Sequence, residues 1–149
     1  MINKAKKKLL LVADSKSAKF YRAEDFEIKA LLREFSAEDL EIHHHRQERK
    51  TGKFNKLGAN ARFFDPHTEA KDLDRRDFCK FLIHEVSKIF EEEHYDQLIL
   101  VCGPKMLGDF RDDFPHSFRN IEIKECIKEL IHDNMKELEE KVLGELKFK

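Results

Sequence analysis

Two short stretches, "LLLVA" at residues 9–13 and "LILVC" at residues 98–102, constrain the fold more than anything else in the chain. Neither is interrupted by a polar residue and neither alternates. A strand with one wet face reads apolar-polar-apolar, because successive side chains point to opposite sides of the sheet. A strand with no wet face reads as an unbroken apolar run. Both stretches are far too short to span a bilayer. "KKLLLVADS" is therefore a buried strand over Lys7–Ala13, ending in turn-forming residues, and "YDQLILVCG" is a strand covered on both faces from about Asp96 to Cys102. A sheet whose inner strands have no wet face needs a layer of helices on each side, which is an α/β architecture.

The segments around them change period. "AKFYRAE" alternates, with Phe20 and Arg22 on one face and Tyr21 and Ala23 on the other, and "FEIKALLREFS" groups Phe26, Ile28 and Ala30. The connections at Asp14–Ser17 and Glu24–Asp25 are of hairpin length, so the first three strands form an antiparallel meander. "HTEAKDLDRRDFCKFLIHEVSKIFEEEH" is helical: Thr68 is a suitable N-cap, and Phe78, Leu82, Val86 and Ile89 form a stripe widened by Phe81, Ile83 and Phe90. The acidic run Glu91–Glu93 opposes the dipole at the end of that helix. Gly103-Pro104 opens a second helix carrying Leu107, Phe110 and Phe114, and Pro115 stops it. "IEIKECI" alternates as a strand, with Ile121, Ile123 and Glu125 opposite Glu122, Lys124 and Cys126. "DNMKELEEKVLG" is a last helix, with Asp133 as cap, Met135, Leu138 and Val142 on one face and Gly144 as its stop. The expected fold is a single α/β domain over residues 1–149 with a mixed sheet, a three-strand meander followed by strand–helix crossovers. That order is the one of a ribonuclease H-like fold.

Charged residues make up 40% of the chain, yet the formal net charge is only -1, so any contact with a polyanion must come from a local patch. Thirteen Phe and no Trp indicate an aromatic core with few polar handles. Cys79, Cys102 and Cys126 are odd in number and form no CxxC, which fits buried thiols in a reducing cytoplasm. The basic start "MINKAKKK" lacks the apolar length and cleavage site of a signal peptide, so the expectation is a cytoplasmic chain with no membrane insertion.

The local patch is the stretch from His43 to Pro66, "HHHRQERKTGKFNKLGANARFFDP", where helix and strand periodicity fade. From Arg46 to Arg62 the cations Arg46, Arg49, Lys50, Lys53, Lys56 and Arg62 face only Glu48 as an acid, a local net charge of +5. Gly52 and Gly58 permit close backbone approach, and Phe54, Phe63 and Phe64 are suited to stacking on bases. This is the composition of a phosphate-contacting loop, although charge runs are as often only a solvated connection. Three consecutive histidines, His43, His44 and His45, do not make a metal site, because neighbours on an extended chain point apart and no second ligand set supports them. Asp14, Asp65 and Asp96 resemble the strand-end carboxylates of a two-metal nuclease, but Cys102-Gly103-Pro104 stands where such an enzyme wants an acid. Asp14 reads instead as a turn residue in "ADSKS". Cys102 is the one thiol placed for nucleophilic work, at a strand end before a helix start, and a packed thiol is the simpler reading. GxSxG, P-loop and GxGxxG motifs do not occur, and no cofactor is expected.

From Leu9 to Val142, and most specifically in "VADSKSAKFY" and "LILVCGPKMLGDFR", the chain resembles the bacterial host attachment family, "protein required for attachment to host cells". The family usually carries a second Pro or Ala-Pro where this chain has Cys102-Gly103. That family in turn looks like a shortened relative of the central domain of archaeal and eukaryotic peptide-chain release factors. In those factors a Gly-Gly-Gln tripeptide lies in the loop before the first helix. Here Gly58-Ala59-Asn60 is the nearest approach, and Asn60 is shorter than Gln. The resemblance implies a non-enzymatic accessory factor, associated with the ribosome or with RNA through Arg46, Arg49, Lys50, Lys53, Lys56, Asn60 and Arg62, without peptide release. Two alternatives stand beside it: a protein-interaction module in host attachment or envelope biology, and a metal-dependent phosphodiesterase of ribonuclease H-like fold.

Overall fold

In the computed structural model of the chain the backbone is described for residues 6–40, 66–115, 118 and 120–147, and side chains for the same residues less 66–71, 146 and 147. The strands are β1 (Lys7–Ala13), β2 (Ser17–Glu24), β3 (Glu27–Ser36), β4 (Gln97–Cys102) and β5 (Glu122–Ile127). The helices are α1 (Pro66–Glu92), α2 (Pro104–Asp113), α3 (Met135–Leu138) and α4 (Gly144–Lys147), the last two joined by a π-helical turn (Glu139–Leu143). One five-stranded mixed sheet has the order β3-β2-β1-β4-β5. β2 is antiparallel to β1 and β3, while β1, β4 and β5 are parallel.

The two apolar runs become the adjacent inner strands, in register from Lys8 opposite Gln97 to Val12 opposite Val101. Leu9, Leu11, Leu98 and Leu100 face one way and meet α1 and α2; Leu10, Val12, Ile99 and Val101 face the other way and meet Leu138, Val142 and Leu143 of the C-terminal helical segment. The expected stripe of α1 is buried throughout at Phe78, Leu82, Val86 and Ile89. The Phe-rich composition is used on this face. Phe35 meets Phe20 and Phe81 edge-on at centroid separations of 6.1 and 4.9 Å. A second chain runs from Phe110 through Phe114 and Phe118 to Phe90 at 5.7, 5.3 and 5.5 Å. Such pairs need no polar partner and add to the stabilisation from area alone.

Four local expectations change. The alternation of β3 is broken by two register shifts against β2, so Ile28 is buried while Phe26 lies in the turn and Leu31 faces outward, 43% exposed; an extra residue at a bulge moves every later side chain to the other face. α1 begins at Pro66, which places Thr68 inside the helix rather than at its cap. Asn134, not Asp133, caps α3: its side chain accepts from the Glu137 N–H at 2.9 Å while Glu137 accepts from the Asn134 N–H, a reciprocal capping box. Asp133 instead pairs with Lys141 at 2.7 Å. Gly144 does not stop the helix but continues it at φ -61, ψ -40, and the preceding π turn lets Val142 and Leu143 both point inward while Met135 stays 39% exposed.

The acidic end of α1 is compensated from the sheet. Arg33 of β3 reaches Glu85 at 2.9 Å and Glu92 at 2.6 Å, and Glu93 is held by Lys7 of β1, with Arg22 of β2 at 3.9 Å. Next to it, Asp96 ties β4 to β1: its Oδ2 accepts from the Lys7 N–H at 2.9 Å, and its own N–H donates to the Lys7 carbonyl at 2.8 Å.

Two outcomes follow from these contacts. Replacing Asn134 by Ala lowers unfolding free energy by about 1 kcal/mol, with a smaller effect from Asp133→Ala, as read from urea midpoints. The Lys7 N–H, helped by His94, holds the Asp96 carboxyl below the usual carboxylate range. A depressed folded-state pKa contributes stability above the unfolded value of about 4, and that contribution is lost as pH falls through the folded value. Urea midpoints measured stepwise below about pH 4 therefore fall more steeply for the wild type than for Asp96→Asn.

Candidate functional site

Strand direction decides where a site can lie. β1, β4 and β5 are parallel, and β3 runs the same way as β1, because β2 is antiparallel to both. Their carboxyl ends, Ala13, Cys102, Ile127 and Ser36, therefore share one edge of the sheet. In open α/β sheets this edge is where loops gather and ligands bind. α1 returns from this edge to the start of β4. Its 27 residues span about 40 Å at 1.5 Å per residue, against about 20 Å for the six residues of β4. Residue 40, following β3, therefore lies at this edge, and α1 begins at residue 66 on the same side of the sheet, its first turns extending past the strand ends.

The described part of the edge is firmly built. Asp14 closes the β1–β2 turn, its Oδ1 accepting from the N–H groups of Lys16 at 2.8 Å and Ser17 at 2.7 Å. The Ala37 N–H donates to the Lys16 carbonyl at 2.8 Å and ties the end of β3 to that turn. Behind the edge, Arg75 of α1 donates to Asp109 of α2 at 2.5 Å and to Asp72 at 2.7 Å, with Arg76 at 3.8 Å from Asp109. Asp109 is buried and Arg75 nearly so, so this network fixes the first half of α1 against α2. The Asp109 and Asp72 carboxylates keep the Arg75 guanidinium above even its usual basicity. Cys79 and Cys102 lie close by in the core.

This geometry answers the chemical readings of the sequence. Burial, reinforced by Glu125, Cys126 and Asp109, pushes the Cys102 thiol up to about 12, so it stays protonated at neutral pH and is a packed thiol. Asp14 serves its own turn, as its sequence setting indicates. Asp96 precedes β4 and lies opposite Lys7, at the amino edge, a strand length away from Asp14, so these two carboxylates do not converge. Asp65 lies outside the described residues. Among the described residues no three His, Cys, Asp or Glu side chains are grouped to hold a metal, and no helix is long and apolar enough to cross a membrane. His43, His44 and His45, and the basic candidates Arg46, Arg49, Lys50, Lys53, Lys56, Asn60 and Arg62, also lie outside the described residues. The Arg75–Asp109 pair was not legible in the sequence: its partners are 34 residues apart and each sits in an ordinary charged helix face.

The family described as "Protein required for attachment to host cells" matches residues 9–142. An uncharacterized protein of Rickettsia prowazekii (strain Madrid E) is 30% identical over 146 residues, covering 97% of both chains.

The buried pair makes a sharp test of how the edge is held. Asp109→Ala leaves Arg75 with only the partly exposed Asp72 as partner and costs about 2 kcal/mol of unfolding free energy. The double change Arg75→Met with Asp109→Leu recovers most of that loss, because no buried charge is left unpaired. Equilibrium urea unfolding of the three proteins checks both statements.

Proposed function

The chain belongs to the family of proteins required for attachment to host cells, and from that premise we propose that it is a non-enzymatic binding factor which contacts RNA, in ribosomal particles, through the basic stretch between residues 40 and 66. One observation carries the reading: both flanks of that stretch lie on the carboxyl-edge side of the sheet, while the reactive groups at the described edge are engaged in structure. Asp14 holds its own turn, Cys102 is protonated and Asp109 is locked to Arg75. What remains for function there is charge, six cations against one acid from Arg46 to Arg62. Charge of this kind binds phosphate by releasing counterions, needs no catalytic group and weakens steeply with salt.

The finer assignments belong to the same proposal. The order β3-β2-β1-β4-β5, with only β2 reversed, supports a ribonuclease H-like fold shared with the release-factor central domain. One sheet with both faces covered supports a single domain. Three free thiols support a reducing, cytoplasmic setting. Asn60 in place of the Gln of Gly-Gly-Gln fits a loop that touches RNA without releasing peptide. The family description itself favours a second reading, a module that binds a protein partner during attachment to host cells.

Sedimentation through sucrose gradients separates the two. Arg49→Glu, Lys50→Glu and Lys53→Glu together abolish co-migration with ribosomal particles while leaving the circular-dichroism melt unchanged, and the wild type leaves the particles as salt rises. A wild-type protein that stays at the top of the gradient at low salt excludes the RNA reading and leaves the protein-partner one.

A further inference from the structure

Lys8 is the odd residue of the covered sheet. It lies on the central strand β1, on the face carrying Leu10 and Val12, and is only 5% exposed. Across the sheet, Ala23, Lys8, Gln97 and Glu122 form one row. Among the described residues the Lys8 ammonium makes no ion pair and no hydrogen bond; its neighbour is the ring of Phe26, 4.4 Å from Nζ to the centroid. The charged groups that face it are Asp25, Lys6 and Glu122, and both carboxylates are engaged elsewhere. Asp25 accepts from the Lys6 N–H at 3.1 Å, and Glu122 lies 3.6 Å from the Lys6 ammonium and 3.5 Å from that of Lys124. Beside Lys8 in register, Gln97 is 4% exposed and its Oε1 has no hydrogen-bond donor.

An ammonium has three donors to satisfy and an aromatic ring satisfies them poorly. Burial accordingly pulls the Lys8 amine below the usual lysine range, with Lys6 adding to the effect and Asp25 and Glu122 opposing it. A neutral amine in an apolar setting is a nucleophile, and the groups around it suit the product better than the charged reactant.

We propose that Lys8 is a covalent capture site for small aldehydes, covered by the Phe26 ring and assisted by the Gln97 amide oxygen. The Nζ lone pair attacks the carbonyl carbon, and the C=O π pair moves to oxygen. Gln97 Oε1 accepts the N–H of the resulting carbinolamine. The oxygen then takes up the two protons that the amine nitrogen carried and leaves as water as the C=N bond forms. The imine is neutral and asks for no buried donor partners, and the step requires no oxidant or reductant.

The test is site-resolved labelling of the full chain with formaldehyde, fixed by cyanoborohydride in short exposures and quantified at each lysine by peptide mass spectrometry. Lys16 and Lys105, exposed and without ion pairs among the described residues, are the internal references. At pH 7.5, Lys8 is labelled several-fold faster than either, and the difference closes as pH approaches the ordinary lysine range. Gln97→Leu slows labelling at Lys8 several-fold without changing Lys16. Phe26→Ala separates access from reactivity: a Lys8 that outpaces the references only in this variant is a nucleophile that the ring covers, which supports the site. A Lys8 no faster than Lys16 and Lys105 in both the wild type and Phe26→Ala overturns it.

Discussion

The structure depends on two parallel strands that are apolar on both faces. β1 and β4 lie side by side, and every side chain from Leu9 to Ala13 and from Leu98 to Cys102 is buried. Parallel neighbours cannot be joined by a tight turn, so the chain must cross over one face to connect them. α1 makes that crossing and covers the face with its Phe and Leu stripe. The other face then needs its own cover, which the C-terminal helical segment supplies through Leu138, Val142 and Leu143. The arrangement of everything else, including which edge collects the turns, follows from this one requirement.

The high charge content is arranged around the same frame rather than spread as a uniform surface. Arg33, Lys7 and Arg22 of the meander neutralise the acidic end of α1; Arg75 locks α1 to α2; Arg111 of α2 forks onto Glu125 of β5 at 2.9 and 2.6 Å. Exposed pairs of this kind contribute little each. Their main effect is selective: each joins two different elements of the fold, so a shifted helix leaves charges unmatched. Many opposite charges are thus paired within the body, and the net-positive stretch from Arg46 to Arg62 stands out against a remainder whose formal net charge is -6.

What was legible in the sequence was whatever depends on period. The unbroken runs of β1 and β4 and the four-four-three stripe of α1 report burial directly, whereas burial along the edge strand β5 does not follow its alternation, and the resulting mixed five-stranded sheet has the expected meander and crossovers. What depends on a single residue's geometry was not legible. Asp133 and Asn134 are equally good caps on composition, and only the position of Glu137, three residues after Asn134, decides between them. The π turn hides in "EEKVL" because it moves burial by one residue without changing the residue types. The shifts in β3 likewise leave no mark that distinguishes Leu31 from Leu32. The candidate basic residues were legible as charge alone, and Asp14 as a turn former. The Arg75–Asp109 lock and the solitary ammonium of Lys8 arise from contacts between distant segments, so no local pattern announces them.

The ionisable groups described at the carboxyl edge are committed to structure rather than left free to react. Catalysis needs groups whose protonation state is poised near neutrality and whose hydrogen bonds are free to change during reaction. At the carboxyl edge the Cys102 thiol is far from ionising at neutral pH, Asp14 Oδ1 accepts two backbone N–H groups of its own turn, and Asp109 is paired with Arg75. Groups engaged in this way tie the turns and helices of the edge together. Under the RNA reading proposed above, electrostatic attachment would supply affinity without orientation, and orientation would come from the body.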